Sequence, residues 1–101
     1  VETVLDVVGT VLAGRATTYG DVAEVVGEVL GRGGPRQVGT VLARAGGAVP
    51  WWRVVNAAGR PPSHAGARAL ALLADEGCPL VPERDRVDLR RARAELEVPA
   101  P

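Results

Sequence analysis

Three kinds of side chain in this sequence could do chemistry: a single thiol at Cys78, a single imidazole at His64, and a set of arginines interleaved with a few aromatic residues. Cys78 has no histidine near it in sequence to take its proton, and one Cys with one His is too small a ligand set for a metal, so no metal and no cofactor is expected. The run Pro50-Trp51-Trp52-Arg53-Val54-Val55 offers two indole faces and no low-pKa nucleophile. What remains is recognition. The chain has no lysine, so every fixed side-chain cation is a guanidinium, able to stack and to donate paired hydrogen bonds to phosphate or to a base edge. The formal net charge is +0, which alone argues against a nucleic-acid partner. Its distribution points the other way: no acid lies between Glu28 and Asp75, whereas Arg32, Arg36, Arg44, Arg53, Arg60, Arg68 and His64 all do.

The elements that must position these groups follow from apolar spacing. The chain has 101 residues, enough for one domain with one core, expected over residues 1–97 with a loose tail at 98–101. Val1, Val4, Leu5, Val8, Val11 and Leu12 recur at spacings of three and four and predict a helix ending near Gly14, with Gly9 as a competing end. Thr18 followed by Asp21 resembles a capping box and opens a second helix, which Gly27 or Gly31 would close. After the Gly31–Gly34 break, Pro35 suits the first position of a third helix to Ala45. Val38, Leu42 and Ala45 share one stripe of it, and Arg36, Thr40 and Arg44 the opposite one, the outline of a helix-turn-helix.

Ala48 to Arg60 reads as a buried turn or single helical turn leading into a short extended segment, and Gly59 to Ser63 as a loop. A fourth helix spans Ala65 to Glu76, with Gly77 placed for a left-handed cap. Val81, Val87 and Leu89 suit a short hairpin or wing, and Arg90 to Glu97 a last helix. The unpaired cysteine and the lack of a leader or a roughly 20-residue apolar run predict a cytoplasmic protein with no membrane partner.

Five motifs in register then resemble the DNA-binding domain of the O6-alkylguanine-DNA alkyltransferases. Thr17-Thr18-Tyr19-Gly20-Asp21-Val22-Ala23 is similar to the family's TYG-x-(I/V)-A signature, and Arg36-Gln37-Val38-Gly39 to the R-x-V-G of its recognition helix. Pro50-Trp51-Trp52-Arg53-Val54-Val55 resembles PCHRV(V/I), Gly59 with His64-Ala65-Gly66 the substrate loop, and Leu72-Leu73 with Glu76-Gly77 the closing LL-x-x-EG. Tryptophan stands where the family has its reactive cysteine, which narrows the resemblance to the alkyltransferase-like proteins. These are understood to bind O6-alkylguanine without repairing it and to hand the lesion to nucleotide excision repair.

The resemblance implies a mainly α fold, a winged helix-turn-helix of the alkyltransferase C-terminal type with a short β-hairpin wing. It also implies a non-enzymatic monomer whose helix-turn-helix binds the minor groove of duplex DNA and which recruits a nucleotide excision repair protein. By it, Thr18, Tyr19, Arg36, Gln37 and Arg44 would contact DNA, with Tyr19 rotating the nucleotide and Arg36 filling the vacated stack. Trp51, Val54, Val55, His64, Ala65 and Gly66 would wall the lesion pocket, and Pro50, Arg53 and Glu76 would support it. Position 52 is the relay histidine's place, so Glu76 would serve as an acceptor for Arg53 or a backbone N–H.

The chain departs from the pattern at His64, where a tyrosine is common, in lacking an asparagine near the end of the recognition helix, and in a longer Glu28–Gly34 segment. The alternative for Trp51 is to fill the core of a protein that owns no Phe. Two other classes fit the same residues: a winged-helix module without lesion specificity, and an enzyme using Cys78.

Overall fold

The computed structural model describes residues 2–31 and 33–96, so Arg32 and the 98–101 tail lie outside the described residues. Helix α1 covers Glu2–Gly9, burying Val4, Val7 and Val8 at helical spacing. It ends at Gly9 rather than near Gly14. The Thr10 hydroxyl and N–H both turn back to the Val7 carbonyl, and Gly14 adopts a φ of 86° in the turn that follows. Val11 stays buried past the helix end, but Leu12 is 73% exposed and leaves the stripe assigned to it.

Strand β1, Thr17–Thr18, leads directly into α2, Tyr19–Leu30. The Thr18 Oγ1 accepts the Asp21 N–H at 3.0 Å, the expected cap. Gly31, with φ 71°, donates to the Gly27 carbonyl and closes the helix there. Helix α3 is Pro35–Ala45, with Val38 fully inward and Arg36, Thr40 and Arg44 exposed. A 3₁₀ turn at Trp51–Arg53 feeds β2, Val54–Val55, which pairs in parallel with β1 in the register Thr17↔Val54 and Thr18↔Val55. The α2–α3 unit is thus the crossover that a parallel pair requires.

Helix α4 is Gly66–Asp75 after a 3₁₀ turn at Ser63–Ala65, and Gly77 takes the left-handed conformation at φ 77°. The wing is a single antiparallel bridge, Leu80 to Val87. The last helix, α5, is only Leu89–Ala92, shorter than the Arg90–Glu97 reading. Arg93 instead lies beside Ala16 in a parallel bridge, its neighbours exchanging backbone hydrogen bonds with Ala16. The architecture is a mainly α winged helix-turn-helix.

The core is divided. Val4, Val7, Val8, Val22, Ala23, Val26, Val38 and Val54 form one cluster. Ala16, Val55, Leu73, Cys78, Val87 and Ala92 form the other. Successive strand residues face opposite ways, so Val54 seals the first cluster and Val55 the second. The loop before α4 is pinned to the wing at Gly59. Its carbonyl accepts the Val87 N–H at 2.8 Å, and a Cβ there would lie 2.4 Å from the Val87 carbonyl oxygen. Asn56 Oδ1 accepts the Ala58 and Arg60 N–H groups, each at 2.9 Å, shaping the same turn.

Candidate functional site

Where α2, α3, the Trp51 turn and the α4 entry meet, they enclose a cavity of about 480 Å³, within the size range of ligand sites, roughly 300–1,000 Å³. Tyr19 reaches it from the first position of α2, and Gly39, Leu42 and Ala43 from α3. Gly47 and Trp51 close a second side, and Pro62, His64, Ala65 and Arg68 a third. Gly39 matters to its width, because a Cβ there would touch the Tyr19 ring at 3.9 Å. Burial pushes the Tyr19 phenol above its ordinary value of 10.0, so the phenol is neutral at physiological pH.

The two adjacent indoles part company. Their ring planes cross at 89° with centroids 5.9 Å apart. Trp51 lines the cavity, with the Arg68 guanidinium carbon 5.9 Å from its ring centroid. Trp52 packs against the second core cluster and donates its Nε1–H to Glu76 Oε1 at 3.2 Å. Arg53 donates through Nε to both Glu76 oxygens and pairs through Nη2 with Oε2, while its Nη1 donates to the Val11 carbonyl at 2.8 Å. Its guanidinium also lies 5.3 Å from the Trp52 ring centroid. Hydrogen bonding from Arg53, with help from Trp52, holds the Glu76 carboxyl below its ordinary 4.5 despite partial burial. Glu76 is an ionised brace for Trp52 and Arg53, and Arg53 in turn ties the strip to the Val11 carbonyl in the segment after α1.

The structure brings Tyr19, Trp51, His64 and Ala65 together around one space. It does not bring Val54 and Val55 there: both are 0% exposed, because strand pairing with Thr17–Thr18 commits them to the two cores. Gly66 does not line the cavity either; it starts α4 and lies against Pro61. Thr18, 4% exposed, spends its hydroxyl on the α2 cap and presents no free surface to DNA. Arg36, Gln37 and Arg44 are exposed on α3, although the Gln37 Oε1 accepts the Gly34 N–H at 2.8 Å. Pro50 opens the Trp51 turn and its carbonyl accepts the Arg53 N–H at 3.0 Å.

The sequence reading missed Arg68, Leu42 and Pro62 as lining residues. Arg68 follows His64 by four positions at the start of a helix, a spacing that could have paired them. Leu42 carried no signal, being an ordinary apolar residue on a core stripe.

Cys78 is far from an accessible nucleophile. It is 5% exposed, and burial together with the Glu76 charge pushes its thiol up from 9.0. Among the described residues no group of three or more metal-ligating side chains occurs, and no helix is long and apolar enough to cross a membrane.

Comparison with known proteins gives concordant findings. The family described as 6-O-methylguanine DNA methyltransferase, DNA binding domain, matches residues 1–78. The crystal structure of S. pombe Atl1 in complex with damaged DNA containing O6-carboxymethylguanine superposes with a TM-score of 0.73 at 26% identity, over 93% of each chain. That of S. pombe ATL in complex with DNA gives 0.72 at 27% identity, over 91% of each. No curated protein matches the chain.

Proposed function

The chain belongs to the 6-O-methylguanine DNA methyltransferase DNA-binding domain family, and on that premise we propose that it recognises O6-alkylguanine in duplex DNA without repairing it. The observation that carries this reading is Trp51. It occupies the position that the resemblance gives to the reactive cysteine, and its ring walls a cavity of about 480 Å³ beside the helix-turn-helix. An indole there can stack on a base and cannot accept an alkyl group. Cys78 does not replace the lost nucleophile, because its thiol is buried and disfavoured as thiolate.

Extruding a base costs a few kcal/mol, least when its pairing is already weakened, as O6-alkylation does by removing the guanine N1 proton. Stacking on Trp51 would return roughly 1–3 kcal/mol per base. Arg36, exposed one residue into α3, would enter the vacated stack, where a planar guanidinium can stack and hydrogen-bond at once. Tyr19, at the junction of α2 and the cavity, would press on the target's flanking phosphate. Arg44 would hold the backbone from the same face of α3. DNA bent by such minor-groove insertion would present the lesion to a nucleotide excision repair protein, with this chain acting as a cytoplasmic monomer.

The test is a titration by fluorescence anisotropy at stated salt of two duplexes that differ by guanine or O6-methylguanine at one site. We expect a preference for the lesion of about tenfold or more, ~1.4 kcal/mol. Equal affinities would identify a winged-helix binder indifferent to damage.

A further inference from the structure

A groove of about 410 Å³ lies apart from the Trp51 cavity and shares no lining residue with it or with α3. Thr10, Leu12 and Arg15 form one wall from the turn after α1, and Arg93, Ala94 and Glu95 the other from the segment after α5. Both walls are held in place. The Arg15 N–H closes its turn onto the Leu12 carbonyl at 3.1 Å, and Gly14, third in that turn, supplies the φ of 86° it needs. Opposite, the Ala94 N–H donates to the Ala16 carbonyl at 2.8 Å and the Ala16 N–H to the Ala92 carbonyl at 3.0 Å. Arg15 Nη1 donates to the Arg91 carbonyl in α5 at 2.9 Å. Leu12, 73% exposed and in neither core cluster, lines the groove together with Arg15 and Arg93. Arg90 and Arg91 are exposed on the adjoining α5. Among the described residues Arg93 pairs with Asp21 at 3.4 Å, and no ion pair engages Arg15, Arg90 or Arg91.

We infer that this groove is a protein-docking surface whose occupant is an acidic segment carrying an apolar side chain. Carboxylates of the segment meet Arg15 and Arg93, whose guanidinium forks match them in paired hydrogen bonds. The apolar side chain covers Leu12 and removes it from water. A DNA backbone fits this surface less well. It brings no apolar group to Leu12 and sets its phosphates against Glu95, the carboxylate that lines the groove. Because no groove residue lies on α3 or in the Trp51 cavity, the segment binds while α3 holds a duplex, and the inference stands whether or not the chain distinguishes damaged DNA.

The experiment titrates a fluorescein-labelled synthetic peptide repeating Asp-Leu-Glu with the full chain, by anisotropy at constant low salt, with and without a saturating undamaged duplex. One control peptide carries Ser for Leu and another Lys for both acids. The probe binds in the presence and absence of duplex. The serine control binds about tenfold more weakly, the size of one buried leucine, and the lysine control does not bind. L12S weakens the probe to a similar degree, and R15Q and R93Q each weaken it by about fivefold, the size of one exposed charge pair. All three leave duplex affinity unchanged. R84Q removes an exposed wing arginine that no ion pair among the described residues engages, and it leaves probe binding unchanged, which separates the groove from general charge attraction. The substituted side chains are exposed, so circular dichroism should not change. A probe that fails to bind, or that ignores L12S, R15Q and R93Q alike, overturns the inference. Displacement of the probe by duplex assigns the groove to DNA instead. Equal binding of the serine control reduces it to attraction between charges and overturns docking as well.

Discussion

Trp52 Nε1 donates to Glu76 Oε1 across 3.2 Å, while the neighbouring Trp51 ring lies edge-on to it and faces the cavity. The carboxylate that would orient a relay histidine is therefore bound to an indole N–H, which donates a hydrogen bond but neither gives up its proton nor accepts another near neutral pH. Trp51→Cys should consequently remain without alkyl transfer, and only the double variant with Trp52→His should gain one methyl group after incubation with O6-methylguanine DNA, read by intact mass spectrometry. A methyl gain in the single variant would show that the thiol needs no relay.

The same two residues should separate by phenotype. Trp51→Ala should lose most of the lesion preference with little loss of stability, because its ring is not part of either core cluster. Trp52→Ala should lower stability by roughly 3 kcal/mol, the lower range for truncating a packed tryptophan. Thermal unfolding and anisotropy on both variants give the comparison.

Glu76 gives a pH dependence with a defined sign. Its carboxyl is held below 4.5 by Arg53, so the unfolded chain binds the proton more readily than the folded one. Its contribution is complete above about pH 4.5, the ordinary value, and disappears as pH falls through the lower folded value. Glu76→Gln should flatten the acid limb of a urea-stability curve. At pH 7 the variant should lose about 3 kcal/mol, since Arg53 keeps its charge while side chains only 15% exposed lose their pairing.

The two exposed arginines of α3 should differ in what they do to DNA binding. Arg36→Ala should abolish the preference for O6-methylguanine, whereas Arg44→Ala should weaken damaged and intact duplexes alike and reduce the salt slope by about 1. Tyr19→Ala should weaken the preference without removing it. Salt-dependent anisotropy on the paired duplexes distinguishes all three.

Gly59→Ala should cost about 2 kcal/mol or more, from a φ of 88° combined with a Cβ 2.4 Å from the Val87 carbonyl oxygen. Denaturant unfolding measures it. Gly31→Ala shares the positive φ but meets nothing within 4 Å, and should cost less.

The helices were legible where periodicity met a clear stop: α3 runs over Pro35–Ala45 as its apolar stripe and flanking residues predict. The end of α1 was not, because Val11 is buried without being helical and so extends the pattern past the structure. Within the candidate site, Trp51, His64 and Ala65 were legible as cavity residues through the motif alone. Val54 and Val55 were misplaced for a physical reason. A motif records neighbours in sequence, whereas alternation along a two-residue strand sends one side chain to each core and leaves neither for the pocket. The different orientations of Trp51 and Trp52 depend on the 3₁₀ turn that carries them, and indole content alone does not reveal such a turn.

The partition of the core at β2 gives the cavity one stiff jaw. With Val54 and Val55 sunk in opposite clusters and Arg53 clamped to Glu76 and Val11, the backbone beneath Trp51 is anchored on three sides. Accommodation of larger substituents must come from the opposing jaw, the Pro61–Ala65 segment and the Leu42–Ala43 edge, none of which is fully buried. Tolerance for adduct size should therefore be tuned by substitutions in that segment and be insensitive to repacking under the tryptophan.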